Sequence, residues 1–146
     1  MTQEQKTLLI RDLCARLPYG VKCTYYDKCV DEQDEGTITG VQNGTYFVID
    51  GVCIDVENVK PYLFPISSIT KEQREEFPFE LSLLNAFING HISLFEDEEL
   101  SVDDIIRMMD CLNRNNIDYR GLIPMGLADD ATGKNVYQNM GINRGI

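Results

Sequence analysis

The chain has 146 residues, of which 43% are apolar and 25% charged, the make-up of an ordinary globular domain with its own core. Twenty-four acids stand against thirteen lysines and arginines, a formal charge of −11. That balance disfavours a groove binder of DNA or RNA, which needs cations to displace counterions from phosphates. No apolar run approaches the roughly 18 residues of a membrane span.

The charge is spread along the chain. The first 65 residues carry ten acids and six bases, residues 66–126 twelve and five, and the last twenty two of each, so no segment is a basic patch. The start, Met1 to Lys6, lacks the basic-then-apolar layout of a secretory leader. The five cysteines (Cys14, Cys23, Cys29, Cys53, Cys111) are odd in number and contain no Cys-x-x-Cys. Buried reduced thiols of a cytoplasmic protein are therefore expected, rather than a disulfide framework or zinc knuckle.

The first predicted element is a helix. Thr2 and Gln5 have capping-box spacing, Leu9, Leu13 and Leu17 form a stripe with Ile10 and Cys14 beside it, and Pro18 ends it. From Gly20 the period falls to two. Val21, Cys23 and Tyr25 alternate with Lys22, Thr24 and Tyr26, as in a half-buried strand. Residues 27–35, with five acids and one lysine, read as a solvated loop. Strands follow at 37–42, 45–49 and 52–56, with Gly40 as a bulge and Asn43-Gly44 and Asp50-Gly51 as tight turns. Residues 59–63 add a fifth, short piece, which Pro61 is expected to confine to an edge or a strand end.

Past Pro65 the helical period returns. Thr70 and Gln73 repeat the capping spacing, and Phe79, Leu83, Leu84, Phe87 and Ile88 share a helical face that Gly90 stops. Ser101 and Asp104 resemble a third box, and Ile105, Ile106, Met109 and Leu112 form a core stripe over 102–114. Removing Ile106 as a core residue is expected to cost on the order of 2–5 kcal/mol. Residues 118–125 read as a short helical turn. The fold class is α+β: an N-terminal helix, a small antiparallel β-meander or open barrel over about 20–63, then a C-terminal helical subdomain. Residues 1–65 form the helix and barrel, 66–126 the helical subdomain, and 127–146 a weakly ordered tail.

Few residues point to chemistry. The six carboxylates between Glu96 and Asp104 do not follow an EF-hand loop, and read as a solvated run entering a helix N-terminus. His91 is the only histidine, and no Gly-x-Ser-x-Gly elbow offers it a partner. Gly126 and Gly133-Lys134 fail the phosphate-loop spacing, and no dinucleotide glycine motif occurs. No catalytic, cofactor-binding or metal-binding residue is assigned, and no cofactor is expected. Exposed aromatics among acids, namely Tyr26 and Tyr46 with Asp31, Glu32, Asp34 and Glu35, are the candidate partner surface.

Two strings carry a resemblance. Lys60-Pro61-Tyr62-Leu63-Phe64-Pro65-Ile66-Ser67-Ser68-Ile69-Thr70 and Asp118-Tyr119-Arg120-Gly121-Leu122-Ile123 resemble segments of uncharacterised small proteins from prophages and mobile elements of gut Bacteroidales. The likeness runs from Leu13 to Ala128 and departs after it. It implies a phage-type origin and a cytoplasmic location, and supplies no catalytic residues. The expectation is a non-enzymatic module that binds another macromolecule, with another protein as partner, no direct nucleic-acid groove binding and no membrane. The alternative is an acidic mimic of DNA that occupies a host protein's groove, which needs the acids of 31–35, 72–80 and 96–104 on one face. A hydrolase using buried carboxylates ranks third.

Overall fold

The computed structural model describes residues 1–75 and 101–137 of the chain. Thr2 opens α1 (Gln3–Arg16) through a reciprocal box: its hydroxyl accepts from the Gln5 N–H at 3.1 Å, and the Gln5 side-chain oxygen accepts from the Thr2 N–H at 3.0 Å. Leu9 and Leu13 are fully buried. The helix passes into a 3-10 turn, Leu17–Tyr19, that holds Pro18 near its start.

β1 (Val21–Asp27), β2 (Glu32–Gln42), β3 (Tyr46–Ile49) and β4 (Val52–Asp55) form an antiparallel meander. Asn43-Gly44 and Asp50-Gly51 both turn at positive φ, and the β2–β3 register shifts between Ile38 and Gly40, where the bulge is expected. Strand order then departs from chain order. β5 (Val59–Leu63) crosses back to pair with β1, and β6 (Asp129–Asp130) adds parallel to β5, giving β4-β3-β2-β1-β5-β6. Pro61 stands opposite Cys23. Antiparallel rungs alternate between bonded and non-bonded, and a residue without an N–H fits the non-bonded kind.

The sheet coils strongly but stays open, with β4 and β6 at its edges. Parts of β1 and β4 lie within 8 Å between Cα atoms, although two strands separate them. In a flat sheet that separation is about 14 Å. The concave face carries Val21, Cys23, Ile38, Phe47, Ile49 and Leu63 against Leu9 and Leu13 of α1.

Four expectations need correction. Residues 27–35 are not one loop: β2 begins at Glu32 and pairs with β1 as far as Asp27↔Glu32. Backbone ladder bonds need no apolar side chains, so an acidic ribbon forms where composition suggests a loop. The cysteines are all free, but only Cys23 and Cys111 are buried; Cys14, Cys29 and Cys53 are exposed.

The third correction concerns the helix over 102–114. After the single-turn α2 (Lys71–Arg74), capped by Thr70 and Gln73, the described chain resumes at Ser101 and α3 (Val102–Arg114), capped by Ser101 and Asp104. Met108, Cys111 and Leu112 are buried against Ile69 and Ile117, while Ile106 is 52% exposed and Val102 72%. Among the described residues, the apolar contacts of α3 come from Met108 onward, and Val102 and Ile106 lie outside them. The expected face Phe79–Ile88, its partner role for α3, Gly90, His91 and the acids 96–99 lie outside the described residues.

The fourth correction is the tail. Residues 127–137 dock: Leu127, Ala128, Ala131 and Tyr137 are buried, and the Ala131 N–H bonds the Leu63 carbonyl at 2.8 Å. Residues 138–146 lie outside the described residues.

A buried ion pair joins α1 to the segment after α3. Asp12 and Arg16 are fully buried; Arg16 Nε and Nη2 reach the Asp12 carboxylate at 2.8 and 3.1 Å, and Nη2 also bonds the Ile117 carbonyl at 2.7 Å. Arg120 Nε reaches the same carboxylate at 3.2 Å, and both guanidiniums lie over the Tyr119 ring. Asp118 accepts from the N–H groups of Leu122 and Ile123 at 2.9 Å each. The 118–123 string is thus a turn fastened to α1, and it meets the 60–70 string where the Asp118 N–H bonds the Phe64 carbonyl at 2.8 Å.

Candidate functional site

The β1–β2 ribbon carries polar groups on both faces of the sheet. At the β1–β2 hairpin, Asp31 turns the chain at φ 52°, and the Tyr26 hydroxyl donates to its carboxylate, which raises the phenol above its ordinary pKa. Asp27 accepts from the Cys29 N–H at 2.9 Å. Val30, at the hairpin end, is 59% exposed beside these groups.

The structure brings Tyr26, Asp31, Glu32, Asp34 and Glu35 together on this ribbon, with Asp31 to Glu35 all exposed. It does not add Tyr46. Tyr26 pairs with Gln33 and Tyr46 with Gln42 on the same strand, nine positions away. At about 3.3 Å per residue the two tyrosines stand roughly 25–30 Å apart.

β2 is longer than its partner on one side. β1 covers it over 32–38, but β3 pairs with it only over 38–42. From Glu32 to Thr37 the side of β2 away from β1 has no strand partner among the described residues. The Glu35 N–H, bonded at 2.8 Å by the Asp34 carboxylate rather than by β1, marks that side. Alternation then turns the backbone groups of Gln33, Glu35 and Thr37 outward.

Next to the ribbon is a cleft of about 460 Å³ between the sheet and residues 131–137. Lys22, Glu35, Thr37 and Tyr62 line one wall and Lys134, Asn135 and Val136 the other, with Asp50 also at its lining. The 131–137 strap is held by a split rung. Extending the β1–β5 register by one bonded rung pairs Lys22 with Tyr62. There the Tyr137 hydroxyl intervenes, donating to the Tyr62 carbonyl at 2.6 Å and accepting from the Lys22 N–H at 3.2 Å. The Tyr137 ring lies 5.7 Å from that of Phe64. Thr132 hydrogen bonds hold the Asp130 carboxyl below the usual range.

The Cys23 thiol is not activated as a nucleophile. Burial, then the Asp50 charge, pushes the Cys23 thiol up to about 12, so it stays protonated at neutral pH. Burial and the hydrogen bond to Glu35, at 3.0 Å, push Tyr62 up to about 12. The buried carboxylates Asp12 and Asp118 are taken up by arginines and by backbone N–H groups. Among the described residues no group of three His, Cys, Asp or Glu side chains could hold a metal ion, and no helix is long and apolar enough to cross a membrane.

Sequence reasoning found the acidic ribbon but missed the cleft. Lys22 and Glu35 show as strand and loop residues, and Lys134 as part of a tail; nothing local marks that the last of these folds back over the first two. No family model, curated protein or solved structure matches the chain.

Proposed function

We propose that the protein is a non-enzymatic binding module of phage or mobile-element type that acts in the cytoplasm and takes another protein at the β1–β2 ribbon. The partner contributes a basic extended segment that adds to the uncovered side of β2. The observation that carries this reading is the stretch from Glu32 to Thr37, exposed along its acids and without a strand on one side. Unpaired strand edges are templates for strand addition, in which main-chain bonds hold the ligand and alternate side chains select it.

Asp31, Glu32, Asp34 and Glu35 supply the selection, since they attract a lysine- or arginine-rich strand and repel an acidic one. Tyr26 and Val30 give the end of the ribbon an apolar contact. The Asp34 carboxylate that occupies the Glu35 N–H guards the free edge in the unbound chain. The origin and location rest on the likeness of the 60–70 and 118–123 strings. Titration of the labelled protein with a lysine-valine alternating peptide tests the reading. Saturable amide shifts at Gln33, Glu35 and Thr37 that weaken with salt are expected. Equal binding of a glutamate-valine peptide overturns it.

A further inference from the structure

We propose that the cleft under the 131–137 strap binds a small zwitterion of the amino-acid or short-peptide class, with its carboxylate on Lys22 and Lys134 and its ammonium on Glu35. The site is distinct from the proposed strand-addition edge, although Glu35 and Thr37 belong to both.

The argument starts from unspent charge. In a chain with a formal charge of −11, lysines are outnumbered by carboxylates and are expected to find them easily. Yet among the described residues neither Lys22 nor Lys134 has a carboxylate within 4.0 Å. Lys22 and Glu35 are diagonal neighbours across the β1–β2 pair, and even they do not join. Glu35 instead accepts the Tyr62 hydroxyl, and Lys134 rests 5.4 Å from the centre of the Tyr62 ring. Tyr62 thus stands between an anion and a cation that line the same cleft without pairing.

Opposite charges in one cleft discriminate. A simple anion placed on the lysines also meets Glu35, and a simple cation placed on Glu35 meets the lysines. A molecule bearing both charges satisfies both sets. The Thr37 hydroxyl and the Asn135 amide add neutral hydrogen-bonding groups to the lining. The volume of about 460 Å³ lies within the range of small-molecule sites. The packing beside the cleft also depends on a glycine. A Cβ at Gly36 meets the Asp50 carboxylate and the Ile49 side chain at 2.6 Å each, so only glycine lets Asp50 keep its place.

The test is an amide-shift titration of the full chain with glycylglycine, and in parallel with acetate, ethylammonium and inorganic phosphate. Glycylglycine is expected to give saturable shifts at Lys22, Thr37 and Asn135, and the single-charge probes to bind about tenfold more weakly or not at all. Lys134→Gln is expected to weaken glycylglycine about tenfold. Lys134 is exposed and outside any ion pair, so its melting temperature should match that of the parent; Lys22→Gln is the second variant. Absence of saturation at these amides up to roughly 10 mM overturns the proposal. So does phosphate or acetate binding as tightly as glycylglycine. Shifts of Gln33, Glu35 and Thr37 with the lysine-valine peptide are read separately, so failure of one site does not decide the other.

Discussion

Asp12→Ala tests the joint between α1 and the 118–123 turn. The substitution removes the carboxylate that Arg16 reaches at 2.8 and 3.1 Å and Arg120 at 3.2 Å. Arg16 cannot escape to water, because its side chain is fully buried, and its Nη1 has no hydrogen-bond partner among the described residues. What remains is one bond to the Ile117 carbonyl at 2.7 Å and the Tyr119 ring at 4.9 Å. Removing one partner of such a pair costs about 3–5 kcal/mol, because the other charge stays buried and uncompensated. A domain's whole stability is about 5–15 kcal/mol, so the loss is large. Urea unfolding at neutral pH measures it, read at a common slope. The double variant Asp12→Ala/Arg16→Met is expected to recover much of the loss, since it removes the stranded charge as well. A single variant within about 0.5 kcal/mol of the parent refutes the reasoning. A double variant less stable than Asp12→Ala refutes it equally.

Other expectations follow from the same contacts. Tyr137→Phe deletes the hydroxyl that splits the Lys22–Tyr62 rung and should cost about 1–3 kcal/mol, with faster amide exchange at Ala131; an unchanged melting curve and exchange rate would show that the strap is held elsewhere. On α3, Leu112→Ala should cost about 2–5 kcal/mol and Ile106→Ala less than about 1, the reverse of what the apolar pattern suggests for Ile106; equal losses in parallel melts argue against the rotation of α3 seen here. Gly36→Ala should destabilise by about 1–3 kcal/mol through overpacking against the buried Ile49, and a gain in stability would contradict the close approach. Cys23 and Tyr62 keep their protons to about 12 when folded, against 9.0 and 10.0 for their ordinary values, so the unfolded chain ionises first. Their contribution is complete below pH 9 and is lost as the pH rises toward 12. Melting temperatures should fall across that interval, and Tyr62→Phe should flatten the upper part of the fall.

The parts of the fold legible in the sequence are those fixed by neighbours in the chain. Thr2 with Gln5, Thr70 with Gln73 and Ser101 with Asp104 all close their boxes, because a cap needs only three residues of reach. Asn43-Gly44 and Asp50-Gly51 turn as expected, because positive φ is a local demand. Val21, Cys23, Phe47 and Ile49 face inward as alternation requires. What stayed illegible depends on distant partners. β5 returns to β1 across three intervening strands, and no local pattern near Val59 names that neighbour. Arg16 is buried because Ile117 and Tyr119 come to it, although the four-residue spacing from Asp12 is a signal that can be read. The apolar stripe of α3 fits several rotations, and contact with Ile69 and Ile117 selects one. The ribbon residues Asp31, Glu32, Asp34 and Glu35 were legible by their acidity, while the free side of β2 appears only once β3 is seen to stop at Ile49.

The most direct measurement of the central claim is a nuclear Overhauser experiment on the labelled protein saturated with the lysine-valine peptide. The account predicts cross-strand contacts from the peptide backbone to Gln33, Glu35 and Thr37, and release of the Glu35 N–H from the Asp34 carboxylate. A peptide that binds with contacts elsewhere, leaving those three amides unchanged, contradicts it.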